Sequence, residues 1–495
     1  MARVAVISIG LVIALIAGAA FYFNSQIHRV NVAGLSKSGG LGSQTTNILL
    51  VGSTSRCALK SQNPEYGLCS QGVTGVNSDV VMIVHLVPKT RSVSLLSIPR
   101  DTFIPNARKA GANKIDAALA EGPTQLVAAI QEDFGIPIQH YIELNFETFA
   151  RVVDALGGVK MYFPEPVYDA YSGLRVDKVG CVQLNGVQSL QVVRARHLQY
   201  KSPGVLSSDP RTWPLEAKSD LARIRRNHEF LRVLATSVAR AGLTNPITDA
   251  QLASAVAPHL TVDRGLNASA LAHLLLTFHS ANPATSPQYT LPVSVTNFGS
   301  YIYKGGNYGN VVFPTEPADH QVIASFLGEP EGTNTVTGLP IPSPRRVTVT
   351  VLNGTAQARQ ASTTADGLGR LGFVTQVGGS STPVNSSFSS TVIYYAGVSA
   401  VGDAQQLRDH LVGNVILAMD PSRVSQGSSL TLVTGTGLTV MKPALAVKQP
   451  TSSASPSSTP PPSSSVNGLQ PPTPATEALA PWDPRSCGPA GTAGA

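Results

Sequence analysis

The stretch NSDVVMIVHLVPKTRSVSLLSIPRDTF, residues 77–103, constrains the fold more than any other part of the chain. Val80 to Val87 is a nearly continuous apolar, β-branched run, the pattern of a strand covered on both faces. Pro88-Lys89-Thr90 is turn chemistry, because proline fixes φ and has no N–H to give to a ladder. Ser92 to Ile98 reads as a second strand, stopped by Pro99. The pattern predicts a hairpin with Asp79 opening one strand and Arg100 and Asp101 closing the other. Those two strand ends lie on the same side of the sheet, so Asp79 can approach Arg100. An acid able to hold a metal beside an arginine able to grip a phosphate points to phosphoryl or pyrophosphoryl chemistry. A turn aspartate beside a surface salt bridge would use the same three residues.

Around this hairpin, strand and helix patterns alternate. Thr46 to Gly52 reads as the first strand of the main domain, and the loop after it, about residues 53–78, has a length usually found at functional sites. Lys114 to Leu119 and Thr124 to Phe134 have helical spacing, with Leu126, Ile130 and Phe134 on one face. His140 to Leu144 and Val159 to Phe163 read as strands, separated by an amphipathic helix from Phe146 to Leu156 that Gly157 ends. Such alternation predicts an α/β or α+β fold, a central mixed sheet covered by helices on both faces.

Basic residues are concentrated further on. Net charge is +7 over 495 residues, too little for a general nucleic-acid binder. Between Leu190 and Arg232, however, nine Lys or Arg face four Asp or Glu, a concentration suited to an anionic ligand. A helix from Val187 to Arg196 ends with Arg194 and Arg196. Residues two apart do not share a helix face, so both serve one ligand only if the chain unwinds there. In the next helix Asp220, Arg223 and Asn227 fall on one polar face, while Leu221, Ile224, Leu231 and Leu234 can face the core. Pro314 to Leu327 reads as one last helix, and 328–345, rich in Gly, Pro and Thr, as a linker.

The hairpin, followed in order by NKIDAAL (113–119), Gly157-Gly158-Val159, VVRARH (192–197) and DLARIRRNHEFL (220–231), resembles the LytR–CpsA–Psr family of cell-wall ligases over about residues 46–240. The resemblance implies transfer of a glycan polymer from a polyprenyl-pyrophosphate carrier to a peptidoglycan hydroxyl. That chemistry needs planar guanidinium forks for the phosphates and a divalent cation for the leaving phosphate. It also needs an apolar groove for the isoprenoid and a place at the membrane. By motif match Arg100, Arg194, Arg196 and Arg223, with Asn227, would clamp the pyrophosphate. Asp79 would hold Mg²⁺, and Asp101 would orient Arg100 or accept a proton.

Two positions depart from the family pattern. Thr54 stands in GSTSR where an acid is expected, and Asn77 stands where arginine is usual. A hydroxyl or water-mediated ligand at Thr54, or Glu65 in the long loop, could preserve the metal, since Mg²⁺ keeps several waters. Two readings therefore stand side by side: an active ligase with a modified metal site, and a non-catalytic binder of polyprenyl phosphates or wall glycan. Hydrolysis of lipid diphosphates is a side reaction the same site could perform.

The flanks set the expected location. Residues 1–3 precede Val4 to Phe23, a run of 20 uncharged residues long enough to cross a bilayer. Ala17-Gly18-Ala19 could instead mark a signal-peptide cleavage site, but the apolar run is long for one and the resemblance implies a retained anchor. A single-pass membrane protein with its bulk outside the cell is expected. Cys57 and Cys69 flank a short polar loop that a disulfide would suit in an oxidising compartment; Cys181 and Cys487 either pair with each other or stay free. No CxxC or histidine pair accompanies them, which argues against zinc. Arg346 to about Leu438 reads as a small α/β domain whose VLNGT and LGF resemble the LytR C-terminal domain. Residues 443–495, dominated by Pro, Ser, Thr and Ala, are expected to lack structure, for they bury too little apolar surface to offset chain entropy.

Overall fold

The fold is taken from a computed structural model, which describes residues 25–37, 44–54, 70, 76–217, 219–241, 260–278, 281–282, 285–295, 301–303, 305–316, 318–328, 340–378, 391–436, 438–440 and 478–488. The expected span at 4–23, Glu65 and the Cys57–Cys69 pair lie outside these residues. Among the described residues no helix is long and apolar enough to cross a membrane.

The first four strands are β1 (His28–Val30), β2 (Thr46–Ser53), β3 (Ser78–Val87) and β4 (Ser92–Ile98). β3 and β4 form the expected antiparallel hairpin, turning where Arg91 N–H donates to Pro88 O at 3.2 Å. The hairpin sits inside a seven-stranded mixed sheet of order β1, Thr261–Asp263, His140–Leu144, β2, β3, β4, Gln288–Thr290. Period-2 alternation divides its side chains between two faces. Leu49, Val51, Val81, Ile83, Leu96 and Ile98 enter the largest core, packed by helix α1 (Pro123–Phe134), which buries Leu126, Ile130 and Phe134. Leu50, Val80, Met82 and Ser97 face the other way.

That second face is covered by α2 (Phe146–Ala155), α3 (Gly186–Arg194) and α4 (Ser219–Ala241). Their starts are locally encoded. Asn145 caps α2 by accepting from Thr148 N–H, and Asn185 with Gln188 forms a capping box on α3. Close packing of α2 on α3 requires glycine at 186, because a Cβ there would lie 2.2 Å from Ala150 O. Helices thus cover both faces of the sheet, as expected.

Three stretches differ from the sequence reading. Residues Ile115–Glu121 form a 3-10 helix rather than an α-helix. The last helix of the main domain is α6 (Ala318–Leu327), preceded by α5 (Ala268–Phe278), and Val312–Glu316 is a strand instead of its first turn. Val311 and Phe313 are buried at period-2 spacing, which outweighs the helical reading there.

The third difference is the tail. Residues 478–488 return to the main domain, where Arg485–Ser486 pairs antiparallel with Val159–Phe163. Cys487 is disulfide-bonded to Cys181 on the neighbouring strand Gly180–Leu184, which settles the open choice for these two cysteines. The expectation of a structureless end therefore fails for this segment. Composition averaged over 443–495 hides one aromatic, one acid, one arginine and one cysteine grouped in WDPRSC.

The small domain builds α7 (Gln360–Arg370) and α8 (Val401–Arg408) on its own sheet, with a separate apolar core around Val349, Val351 and Leu368. Its strand Leu411–Met419 pairs antiparallel with Val312–Glu316 of the main domain, so one sheet runs through both units.

Candidate functional site

The strand register assembles the site. Val81 pairs with Ile98, and two residues further along both strands Asp79 and Arg100 come opposite one another. Arg100 Nη1 donates to Asp79 Oδ1. Asp101, buried beside them, accepts from Lys114 Nζ at 2.9 Å and from Arg196 Nη2 at 3.1 Å. Burial acts to raise the Asp101 pKa, but Arg100, Lys114 and Arg196 outweigh it and hold the carboxyl below its usual range. An ionised carboxylate with three cationic neighbours orients arginines better than it accepts protons.

From the opposite face α4 brings Arg223, whose side chain is only 3% exposed. Its Nη2 donates to Asp79 O at 2.8 Å and lies 2.8 Å from Asp220 Oδ1. The α3 helix stops at Arg194, and Ala195 is extended with φ −61° and ψ 118°. The chain does unwind between the two arginines. Arg196 consequently turns back to Asp101 and lies 3.4 Å from Asp220 Oδ1, while the Arg194 guanidinium stacks 4.6 Å above the Phe146 ring. Among the described residues the buried Nε–H groups of Arg100, Arg196 and Arg223 find no hydrogen-bond acceptor.

Beyond these charges lies a cavity that opens to solvent. Leu50, Leu144, Phe149, Leu190, Val193 and Phe230 supply apolar walls, and Asp79, Arg194, Arg223 and Asn227 line the same space. Asn227, with its amide nitrogen oriented to donate, reaches Val193 O at 3.0 Å and Arg223 O at 3.3 Å. It serves as a strut between α3 and α4 at the cavity wall. Asp79, Arg100, Asp101, Arg194, Arg196, Arg223 and Asn227 are thus all brought together from the hairpin and two later helices.

Two groups in the cluster, Lys114 and Asp116 of NKIDAAL, were not singled out as site residues from sequence, whereas Asp220, read there on one face with Arg223, joins the cluster from the first turn of α4. Burial pushes the Asp116 carboxyl up to about 6, helped by Asp101 and Asp79 and opposed by Arg100 and Lys114. The signal was an acid two residues after a lysine in a short motif, which no spacing rule separates from a helix-start aspartate.

The departures at Thr54 and Asn77 answer each other. Asn77 N–H donates to Thr54 Oγ1 at 3.0 Å, Thr54 Oγ1 donates to Asn77 O at 3.2 Å, and Thr54 N–H donates to Asn77 O at 2.9 Å. The hydroxyl stitches the ends of β2 and β3 together where the ladder register shifts at Gly52/Ser53. Among the described residues no group of three His, Cys, Asp or Glu could hold a metal by itself. Among the described residues Asp79 is the acid that lines the cavity beside the arginines. Mg²⁺ is often held by one or two carboxylates plus substrate phosphates, so this donor set fits Mg²⁺ only jointly with a phosphorylated ligand.

Fold and site together define an α/β protein that sets an arginine–carboxylate cluster at the mouth of an apolar cavity, an arrangement suited to a ligand with an anionic head and an apolar tail. Its sequence relatives make that class specific. The LytR_cpsA_psr family model matches residues 24–310, and the chain belongs to that family. A second model, described as LytR cell envelope-related transcriptional attenuator, matches residues 346–437. Corynebacterium glutamicum has a relative named "Probable cell wall biosynthesis protein LcpB", 30% identical over 324 residues, covering 65% of this chain and 69% of that protein. A polyisoprenyl-teichoic acid–peptidoglycan teichoic acid transferase, TagU of Bacillus anthracis, is 36% identical over 131 residues, 26% of this chain and 42% of that protein. The solved LytR-Csp2A-Psr enzyme from Actinomyces oris is 25% identical with a TM-score of 0.43, covering 54% of this chain and 88% of that one.

Proposed function

We propose that the protein transfers a glycan polymer from a polyprenyl-pyrophosphate carrier to a hydroxyl of peptidoglycan, forming a phosphodiester in the cell wall. Arg194 and Arg223 on the wall of an apolar cavity, with Arg100 joined to them through Asp79 and Arg196 through Asp220, carry this reading. The isoprenoid enters the cavity, and its diphosphate lies among the guanidinium groups, whose planar forks match phosphate oxygens. These cations pair with carboxylates: Arg100 with Asp79, Arg196 with Asp101, Arg223 with Asp220. An arriving diphosphate would compete with these carboxylates for the arginines, and Asp79, so freed, is the residue that would hold Mg²⁺. When bound, Mg²⁺ neutralises charge on the leaving phosphate.

In the transfer step the acceptor oxygen attacks the glycan-linked phosphorus, the bridging P–O bond breaks, and polyprenyl phosphate departs with the bond's electrons. The acceptor's proton needs a base. Asp101, held ionised by three cations, keeps Arg100 and Arg196 in place rather than taking that proton. A membrane location, with the main domain facing the wall, would suit the lipid carrier and the apolar run at 4–23.

One observation favours a second reading, a binder of polyprenyl phosphates without turnover. Thr54 replaces an expected acid, and its hydroxyl is already engaged by the Asn77 backbone. A transfer assay with a polyprenyl-pyrophosphate-linked glycan and peptidoglycan, with and without Mg²⁺, decides between them. Transfer that requires Mg²⁺ and is lost in Asp79→Asn supports the ligase. Binding without product, unchanged in Asp79→Asn, supports the binder.

A further inference from the structure

The segment returning from the far end of the chain reaches the arginine site through two intermediaries. Asp483 is completely buried; it accepts from Arg225 Nε at 2.6 Å and from Arg226 Nη1 at 3.4 Å. Glu216 meets the same two guanidinium groups, accepting from Arg225 Nη2 at 2.9 Å and from Arg226 Nη1. The four side chains form a closed quartet, sealed from water, in which losing any member leaves a buried charge short of its partner.

Arg226 has a second task. Its Nη2 donates to Ala195 O at 2.7 Å. Ala195 is the extended residue that lets Arg194 and Arg196 serve one site. From the other side Asp169 Oδ2 accepts the N–H groups of Arg196 and His197, each at 2.8 Å. The backbone between the two arginines is thus held by a guanidinium whose own place depends on Glu216 and Asp483 together. The returning segment is fastened on either side of that acid. Trp482 stacks on Tyr200 with centroids 3.9 Å apart and donates to Glu216 Oε1 at 3.1 Å, while Ser486 N–H donates to Glu229 Oε1 at 2.7 Å and Cys487 is bonded to Cys181.

We propose that Asp483 is a positioning residue for the anion site: by completing the buried quartet it keeps Arg226 on Ala195 and so sets where Arg194 and Arg196 point. This rests on the reading of those arginines as a diphosphate clamp.

The test measures binding of farnesyl pyrophosphate to the full chain in detergent, by calorimetry at fixed Mg²⁺. Variants are Asp483→Asn, Asp483→Glu, the double variant Arg194→Ala/Arg196→Ala, and that double variant with Asp483→Asn. Asp483→Asn should weaken binding roughly tenfold, the scale of couplings between contacting networks. Asp483→Glu, which keeps the charge, should recover most of the affinity. In the double-alanine background Asp483→Asn should change nothing further. Undiminished affinity in Asp483→Asn, or equal weakening in both backgrounds, would overturn the proposal. Wild-type binding by the double-alanine variant is a separate result: it removes the clamp itself and the proposal with it. If Asp483→Asn does not fold, Trp482→Ala, which loosens the same segment without stranding a charge, replaces it in both backgrounds.

Discussion

Arg100 and Asp79, 21 positions apart, close the open end of the hairpin with a guanidinium–carboxylate contact that the strand register imposes. The pair is partly exposed, so its worth to stability is small. Its worth to a diphosphate is larger. Arg100→Ala should cost several-fold to orders of magnitude in lipid-diphosphate binding or transfer while the thermal transition stays close to wild type. Arg100→Lys should fail as well, because a point charge cannot reproduce two parallel N–H···O bonds. Wild-type transfer in either variant would place the phosphate elsewhere.

At the end of β2 the expected effect runs the other way. Thr54→Asp restores a carboxylate but loses the hydroxyl donor to Asn77 O, bringing like partial charges together. Stability should fall by about 1–2 kcal/mol, the cost of one part-buried hydrogen bond. Mg²⁺-dependent transfer should nevertheless rise if the chain is a ligase, and farnesyl pyrophosphate affinity should not change if it is a binder. Denaturant unfolding and the transfer assay, run on the same preparation, separate the two effects.

The hairpin, its charged ends and the two-faced sheet were legible in the sequence because each rests on a local signal: a β-branched run, a proline turn, a glycine stop. Arg194 and Arg196 were legible as a pair only on the condition of an unwound helix end, and Ala195 meets it. Local signals did not reveal the quartet. Arg225 and Arg226 read as ordinary charges on a helix face, and their partners Glu216 and Asp483 lie nine and more than two hundred and fifty positions away. Burial of a charge is decided by what packs over it, here a segment whose surroundings have the composition of a structureless tail. The Thr54–Asn77 stitch was hidden for a related reason, since two substitutions that look like separate losses bond to each other across the strand ends.

Asp116 ties stability to pH. Its carboxyl holds a proton more tightly in the folded chain, about 6 against 3.8 for the free group, so this contribution is full in acid and is lost as pH rises through about 6. Asp116→Asn removes the dependence. The variant should therefore be more stable than wild type near neutral pH, by at most about 3 kcal/mol, and the gap should close as pH falls towards 4. Urea titrations of both proteins across this range give the sign directly; a gap that widens in acid would refute the assignment.

Cys181 and Cys487 are separated by 306 residues, so their bond closes a very long loop. Cys487→Ser should lower stability by about 2–5 kcal/mol. Reductant should have the same effect on the wild type and little further effect on the variant. Equal unfolding midpoints for oxidised wild type and Cys487→Ser would show that strand pairing and the quartet suffice to hold the segment.

The same bond also decides how the molecule transmits a pull. Tension applied beyond Gly488 and resisted at the other end of the chain passes from Cys487 into Cys181 and on through residues preceding 181. Everything between those two cysteines, including α4 with its arginines and the whole C-terminal domain, lies in a covalent loop off the line of force. A chain fixed at one end and tugged at the other would keep Arg194, Arg196 and Arg223 off that line, while Asp79, Arg100 and Asp101, which precede Cys181, would stay on it. In a force-extension experiment the oxidised protein should lengthen by far less than its contour length, and reduction should release the hidden 306 residues as a single additional gain.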